Sequence, residues 1–330
     1  MSSQTQTTIS PHNQSPYIVR TYPSEKVIES TIKVAKDAQK QWAKVPLKER
    51  IAIGHKFIEE FKKAADTVPK ELAWSMGRPI SQGAGEVRGF LDRAEYLLSI
   101  AESSLSDVSL ADTDKPGFKR YIKRTPLGVI LIIAPWNYPY LVSINAVLPA
   151  ILAGNAVLLK PSPQTPEAAE RIASALIAAG VPDKIVQWTL FHLPAVSLGG
   201  KSVRKAAVDA EGFKGVALEL GGKDPAYVRP DADLDYTVGE LVDGALFNSG
   251  QSCCSIERIY VHEDVYDAFV PKFVELVKKY KLGDPTSTET NLGPVVSLAS
   301  AQRIRKQVSD AIKAGAKPLI PESLFPIAAA

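Results

Sequence analysis

LGVILIIAPWNYPYLVSINAVLPAILAGNAVLL, residues 127–159, decides the fold, because this apolar stretch carries no charged residue. Its length would suit a membrane span. However, Pro135, Pro139 and Pro149 interrupt it, and a lipid-exposed helix broken so often would leave polar backbone groups unpaired. We therefore interpret it as strand, loop, helix, turn and strand, all buried in a soluble protein.

A regular alternation continues on the carboxyl side of this stretch. The predicted elements are a strand at Val129–Ile133, a helix at Tyr140–Leu152, a strand at Ala156–Leu159, a helix at Pro166–Ala179 and a strand at Ile185–Leu190. Strands that alternate with helices indicate a doubly wound α/β sheet, in which ligands bind beyond the carboxyl ends of the strands. We therefore expect a site in the loops that follow Ile133 and Leu159.

The flanking regions complete the expected organisation. Residues 1–23 predict a flexible N-terminal tail, residues 24–105 predict helices, and residues 106–126 predict a polar strand segment. After Leu190 we expect a strand at Val216–Leu220, a helix at Leu234–Leu246, a strand at Arg258–Val261, and helices at Val265–Tyr280 and Ser300–Gly315. The stretch Gly83–Gly89 resembles a dinucleotide fingerprint, but it lies among helical residues and is assigned no cofactor role.

Composition excludes several classes of protein. Of the 330 residues, 45% are hydrophobic and 23% are charged, which is typical of a globular chain. A net charge of only +3 gives no case for nucleic acid or an anionic membrane as the main partner. Because the two cysteines, Cys253 and Cys254, are adjacent, a disulfide framework and a thiolate zinc cage are excluded. We predict no metal site and a reducing, cytoplasmic location.

Two residues of the second half are candidates for covalent chemistry. Cys253 follows Gly250-Gln-Ser in a polar turn after a helix, where neighbouring amides would lower the pKa of a nucleophilic thiol. The alternative is that Cys253 is a small buried hydrophobe, as free cysteines usually are. Glu219 lies at the end of an apolar run before two glycines, where burial would raise a carboxyl pKa towards that of a general base. The alternative is that Glu219 caps a tight turn.

Two residues of the first half complete the set. Asn137 lies between Pro135 and Pro139, which fix the backbone, so that its amide can serve as a preorganised oxyanion donor or simply satisfy its own turn. Lys160 follows a strand end, where it can meet a ribose or a phosphate, or remain solvated like most lysines.

Taken in order, these motifs resemble the aldehyde dehydrogenase superfamily, whose members use NAD(P). The matching stretches are Ala134–Pro139, Leu159–Pro166, Leu218–Pro225, Gly250–Cys253 and Asn291–Val296. The resemblance runs from about Ser24 to Pro321 and implies a fold of the α/β class. Residues 24–217 would form the helical region and a Rossmann-like cofactor-binding domain. Residues 218–330 would form an incomplete α/β catalytic domain.

The resemblance also implies roles for the catalytic residues. Cys253 matches the nucleophile, Glu219 the general base and Asn137 the side-chain oxyanion donor, while Cys254 receives no role. The implied reaction oxidises an aldehyde to a carboxylic acid through a thiohemiacetal and a thioester on Cys253. The expected partner is therefore a small aldehyde.

For the cofactor, the resemblance points to Trp136, Lys160 and Ser162. Lys160 matches a residue that binds the adenosine ribose, and Trp136 lies in the loop beside the nicotinamide end. Members often carry an acidic residue at the position of Pro163, where it contacts the ribose. Proline cannot make that contact, so this position does not decide between NAD and NADP. We expect NAD and leave NADP open.

The sequence departs from the family pattern in two places. Between Leu190 and Glu219 the chain is shorter, a strand is missing, and Gly199-Gly200 is the remnant of a cofactor-contacting turn. The sequence also stops before a later cofactor motif and the strand through which members form homo-oligomers. We therefore expect a truncated, weak enzyme. The alternatives are a remnant without turnover or a thiol esterase that needs no cofactor.

Overall fold

The computed structural model describes residues 5–110, 117–191 and 196–325 of the chain. These residues form two compact units. The first contains the described residues up to Ser10 together with Ser15–Met76 and Ile80–Leu190. The second contains Pro11–Gln14, Gly77–Pro79 and the described residues from Phe191 onwards.

The first unit combines helices with short sheets. In chain order its elements are β1 (Thr5–Ile9), β2 (Pro16–Thr21), α1 (Glu25–Trp42), α2 (Leu47–Lys62), α3 (Val68–Met76), α4 (Ile80–Leu105), β3 (Val108–Ser109), β4 (Tyr121–Ile122), β5 (Val129–Ile133), α5 (Pro139–Leu152), β6 (Ala156–Lys160), α6 (Glu167–Ala178) and β7 (Val186–Trp188).

The N-terminal residues correct one expectation. Strands β1 and β2 pair in antiparallel fashion, so residues 5–21 are not a flexible tail. Tertiary contacts order them: the buried Thr8 hydroxyl donates to the Pro163 carbonyl over 2.6 Å, and the Arg20 guanidinium pairs with Glu170 over 2.7 Å. The sequence does not reveal these partners, because they lie about 150 residues away along the chain.

The central sheet of this unit confirms the predicted alternation. Strands β5, β6 and β7 are parallel and adjacent in that order, with Ile133 opposite Lys160 and Leu159 opposite Trp188. Every residue of β6 is buried, so both faces of this strand are covered. Helices α1 and α5 pack against β5 and β6, and α6 packs against β7. The arrangement is an α/β, Rossmann-like fold.

The predicted helical region and polar segment are also present. Helices α2, α4 and α5 share a core of aromatic rings from Phe57, Phe61, Phe90 and Tyr140, in which the Phe61 and Phe90 rings stack 3.8 Å apart. The Gly83–Gly89 stretch lies inside α4, so its predicted helical structure is confirmed. Strands β3 and β4 pair and are exposed; residues 111–116 between them lie outside the described residues.

The second unit continues the α/β pattern. Its elements are α7 (Val196–Asp209), β8 (Asp224–Val228), α8 (Leu234–Leu246), β9 (Ile256–Val261), α9 (Glu263–Val277) and α10 (Leu298–Lys313). Strands β8 and β9 are parallel neighbours. The buried core of this unit is formed by residues of β8, α8 and α9: Val228, Val238, Val242, Phe269 and Val277.

Two sequence predictions for this unit are wrong. Val216–Leu220 is exposed chain without a strand, and the strand begins only at Asp224. Gly199 and Gly200 lie inside α7, so they are not the remnant of a turn. Residues 210–223, between α7 and β8, form no strand.

The structure also shows how the apolar stretch of residues 127–159 is folded. Helix α5 takes up 14 of its residues, β5 lies before this helix and β6 after it, and loops and turns make up the rest. Across residues 5–110, 117–191 and 196–325, no helix has the length and apolarity needed to cross a membrane.

A carboxylate from α4 fixes the start of α5. Glu86 is buried, and one of its oxygens accepts the backbone N–H groups of Tyr140 and Leu141, each over 3.0 Å. These N–H groups belong to the first turn of α5, where no intrahelical acceptor exists for them. A negative charge there also complements the helix dipole. Glu86 therefore sets where the helix begins and how the loop of residues 134–138 enters it.

Replacing Glu86 tests this cap. We expect Glu86→Ala to lower the free energy of unfolding by about 2 kcal/mol, because two buried N–H groups lose their acceptor. Glu86→Gln keeps an acceptor oxygen and loses less. Glu102→Ala, at an exposed position of the same helix, is the matched control. Urea unfolding measures all three, and equal stability of Glu86→Ala and Glu102→Ala would contradict the cap.

Candidate functional site

The turn before Cys253 has an unusual backbone. Helix α8 ends at Leu246, and Asn248, Ser249 and Gly250 then have φ values of 54°, 56° and 74°. All three values lie in the left-handed region, which residues other than glycine seldom adopt. Asn248 is fully buried, whereas the Cys253 and Cys254 thiols that follow are exposed. The turn is thus anchored inside the unit and presents both thiols at its surface.

Sheet topology brings Glu219 close to Cys253. Segment 219–223 leads into β8 and segment 251–255 leads into β9. Because β8 and β9 are parallel neighbours, both segments lie at the same sheet edge. They are in contact there: a Cβ placed on Gly222 would lie 2.9 Å from the Cys253 carbonyl oxygen, so this position favours glycine.

The electrostatics of Cys253 differ from the sequence prediction. Its thiol pKa is raised above the ordinary value, first by burial, then by the neighbouring Cys254, and in a smaller part by the Glu219 carboxylate. The direction is opposite to that expected for a thiol activated by amides. The last contribution is consistent with the proximity of segment 219–223 to Cys253. Glu219 is itself exposed, so the predicted burial of this carboxyl group is wrong.

The first unit holds the other predicted residues at one sheet edge. Trp136 and Asn137 follow β5, and Lys160 ends β6 with Ser162 two residues later. The two strand ends are joined, since the Ala134 N–H donates to the Lys160 carbonyl over 2.9 Å. Trp136, Asn137 and Ser162 are half-buried. This is the carboxyl edge of a parallel sheet, where α/β proteins bind their ligands.

Lys160 is not a solvated lysine. Its side chain is 3% exposed, and the Nζ atom donates to the Pro161 carbonyl over 3.1 Å. Burial lowers the pKa of Lys160 to about 8. An anion or a polar hydroxyl beside this ammonium would offset the cost of its burial. Ser162 adds a hydroxyl, which accepts the Gln164 N–H over 3.2 Å.

The structure therefore gathers the predicted residues into two sets, one in each unit. Cys253 and Glu219 form the first set, and Trp136, Asn137, Lys160 and Ser162 form the second. Sequence reasoning missed Glu86, which orders the loop that carries Asn137 from 54 residues away. No local pattern reveals such a cap, since the carboxylate sits in mid-helix with nothing to mark its partner.

Comparison with known proteins identifies the group of enzymes that these residues resemble. The model of the aldehyde dehydrogenase family matches residues 1–325. A succinate-semialdehyde dehydrogenase [NADP(+)] of Mycolicibacterium paratuberculosis is 37% identical over 76% of this chain and 57% of its own length. A D-glyceraldehyde dehydrogenase (NADP(+)) of Picrophilus torridus is 31% identical over 89% of this chain and 62% of its own.

This chain is also similar to a solved structure. The NAD-dependent benzaldehyde dehydrogenase from Corynebacterium glutamicum superposes with a TM-score of 0.89 at 28% identity, over 96% of this chain and 72% of its own. This chain spans 57–62% of the length of the two relatives matched by sequence.

The charge relation between Glu219 and Cys253 is directly testable. We expect Glu219→Gln to lower the pKa of Cys253, because it removes a nearby negative charge that disfavours the thiolate. Alkylation by iodoacetamide at pH 8 then becomes faster than in the parent. A Cys254→Ser background leaves a single thiol to follow. Glu257→Gln, which also removes one carboxylate of this unit, is the control. An unchanged or slower alkylation in Glu219→Gln would show that the two groups do not interact.

Proposed function

Because the chain belongs to the aldehyde dehydrogenase family, we propose that it oxidises an aldehyde to a carboxylic acid with NAD(P). Cys253 is the nucleophile, Glu219 the general base and Asn137 the oxyanion donor. The observation that carries this proposal is the meeting of the Cys253 and Glu219 segments before two parallel strands. A thiol and a carboxylate within electrostatic reach can divide covalent attack and water activation between them.

The first step belongs to Cys253. Its sulfur attacks the aldehyde carbon, the C–S bond forms, the thiol proton passes to solvent and the carbonyl oxygen becomes an oxyanion. The Asn137 amide and the Cys253 backbone N–H stabilise that oxygen as donors. Since the thiol pKa is raised, the thiolate fraction and the rate of this step increase with pH.

The second step belongs to Glu219. Its carboxylate takes a proton from a water molecule whose oxygen attacks the thioester carbon. The C–S bond breaks, the Cys253 thiolate leaves and the acid is released. The exposure of Glu219 supports this role, because the attacking water has access to the carboxylate.

The residues at the β5–β6 edge suit the cofactor. Lys160 supplies a buried ammonium, Ser162 a hydroxyl and Trp136 an indole, a donor set that fits the ribose and ring system of a dinucleotide. When bound, NAD(P) supplies the acceptor for the hydride that the thiohemiacetal loses as it becomes a thioester. Trp136, Lys160 and Ser162 hold and orient it in this proposal.

The proposal includes both NAD and NADP as cofactors. The two sequence relatives are named for NADP(+) and the structural neighbour for NAD. Pro163 places no carboxylate beside Ser162, and its carbonyl is already used by Thr8. Without a negative charge there, a 2′-phosphate meets no repulsion from this position. We therefore propose that NADP is accepted as well as NAD.

Substitution of the two adjacent thiols tests the proposal. We expect Cys253→Ala to abolish NAD(P)-dependent oxidation of short aldehydes, because no group remains to form the thiohemiacetal. Cys254→Ser, the matched control one residue away, retains most of the rate. The measurement is reduced cofactor formed, followed at 340 nm. Equal losses from both substitutions would contradict the assignment.

The same purified proteins separate the alternatives raised by the sequence. Binding of NAD(P), measured by fluorescence titration, is expected for the dehydrogenase. A remnant would show neither binding nor turnover. A thiol esterase would instead cleave an activated ester without cofactor and lose that activity in Cys253→Ala.

A further inference from the structure

The turn before Cys253 is conformationally costly. Asn248 and Ser249 carry side chains, yet both lie in the left-handed region, with φ near 55°. Each such residue costs on the order of 1 kcal/mol or more and persists only where its surroundings hold it. The contacts that hold Asn248 and Ser249 therefore determine where the Cys253 thiol lies.

Arg78 makes the most buried of these contacts. Its side chain is 1% exposed, and its Nε–H donates to the Asn248 Oδ1 atom over 3.1 Å. Because only the oxygen of the Asn248 amide can face this donor, its NH2 group must face the other way. There it donates to the Gln251 carbonyl over 3.1 Å. Arg78 thus fixes the orientation of an amide that spans the turn.

Gln251 extends the same network towards the thiol. Its Nε2 atom donates to the Asn248 carbonyl over 3.2 Å, and its Oε1 atom accepts the Val296 N–H over 2.8 Å. Beside it, the Ser249 hydroxyl accepts the Gly293 N–H over 2.9 Å and donates to the Gly293 carbonyl over 3.0 Å. Gln251 precedes Cys253 by two residues, so little freedom remains between the network and the sulfur.

The backbone that carries Arg78 is itself constrained. Gly77 has a φ of 81°, and Gly293 packs so closely on it that a Cβ at Gly293 would overlap the Gly77 carbonyl. Segment 293–296 therefore contacts both the Gly77–Arg78 backbone and the 248–251 turn. Close packing of Gly293 on Gly77 constrains the backbone that carries Arg78, and the Arg78 side chain in turn binds Asn248 of the turn.

We propose that Arg78 is a positioning residue for Cys253, acting through the Asn248 amide and Gln251. This role rests on the proposed function, in which Cys253 is the nucleophile. Arg78 does not touch the thiol; it holds the backbone that presents it. A shift of about 1 Å in a reacting atom costs on the order of a hundredfold in rate, so a loosened turn would be visible in catalysis.

Kinetics give the first test. We expect Arg78→Met to lower kcat for aldehyde oxidation by about 10- to 100-fold, with little change in KM, because attack geometry is lost rather than substrate contact. Arg78→Lys, which keeps a donor, recovers part of the rate. The double variant with Asn248→Ala loses no more than Arg78→Met, since both act through one contact. Arg229→Met, at an exposed arginine paired with Asp231 in the same unit, is the control that leaves kcat unchanged.

Thiol reactivity gives a second readout that does not depend on dehydrogenase activity. In a Cys254→Ser background, we expect Arg78→Met to lower the pKa of Cys253 measured by the pH profile of iodoacetamide alkylation. The reason is that partial burial is the largest cause of the raised pKa, and a released turn reduces the burial that remains around the sulfur. A pH profile identical to that of the parent, in a folded Arg78→Met protein, would overturn the proposal.

Two further results distinguish failure of the positioning role from failure of the proposed function. If Arg78→Met does not fold, Gln251→Ala tests the same network from a half-buried position, and an unchanged alkylation profile there overturns the proposal. If the parent chain oxidises no aldehyde, the proposed function fails. A shifted alkylation profile in Arg78→Met would then still support the positioning of the thiol.

Discussion

The run of left-handed residues from Asn248 to Gly250 is the constraint on which the second unit depends. It brings the chain out of α8, exposes the thiols and leads the chain into β9, whose pairing with β8 brings segment 219–223 to the same edge. Such a backbone is stable only while buried hydrogen bonds hold it. Asn248 supplies them, with its oxygen towards Arg78 and its NH2 group towards Gln251. In the proposed reaction, the position of Cys253 therefore depends on a side-chain amide that is itself fully buried.

In the first unit, regular strand pairing and a helix cap position the predicted site residues. Its site edge is formed by regular parallel pairing of β5 with β6, and a single carboxylate, Glu86, fixes the helix that follows the Asn137 loop. Burial of Lys160 at that edge lowers its pKa to about 8, and its ammonium donates to the Pro161 carbonyl. The chain belongs to the aldehyde dehydrogenase family, and the function proposed for it assigns the cofactor to residues of the first unit and the nucleophile to the second.

Sequence patterns predicted those elements whose cause is local. The apolar, β-branched run at Val129–Ile133 and the segment Leu234–Leu246 became β5 and α8 with the predicted bounds, because burial and helical periodicity are written in adjacent residues. Segments whose structure depends on distant contacts were mispredicted. Residues 5–21 are ordered by partners near residues 163–170, and the apolar run at Val216–Leu220 found no ladder partner and stayed irregular. Likewise, the family motif predicts Cys253 and Glu219 as site residues, but the direction of the thiol pKa shift depends on their three-dimensional surroundings.

The central claim is that Cys253 carries the substrate while Glu219 releases it. The most direct measurement is the mass of the Cys253 peptide after Glu219→Gln is mixed with a short aldehyde and NAD(P) and quenched with acid. Because the variant lacks the base that activates water, the account predicts an acyl group on Cys253, accompanied by about one equivalent of reduced cofactor. An acyl group on Cys254, or turnover at the parental rate with Cys253 unmodified, would contradict it.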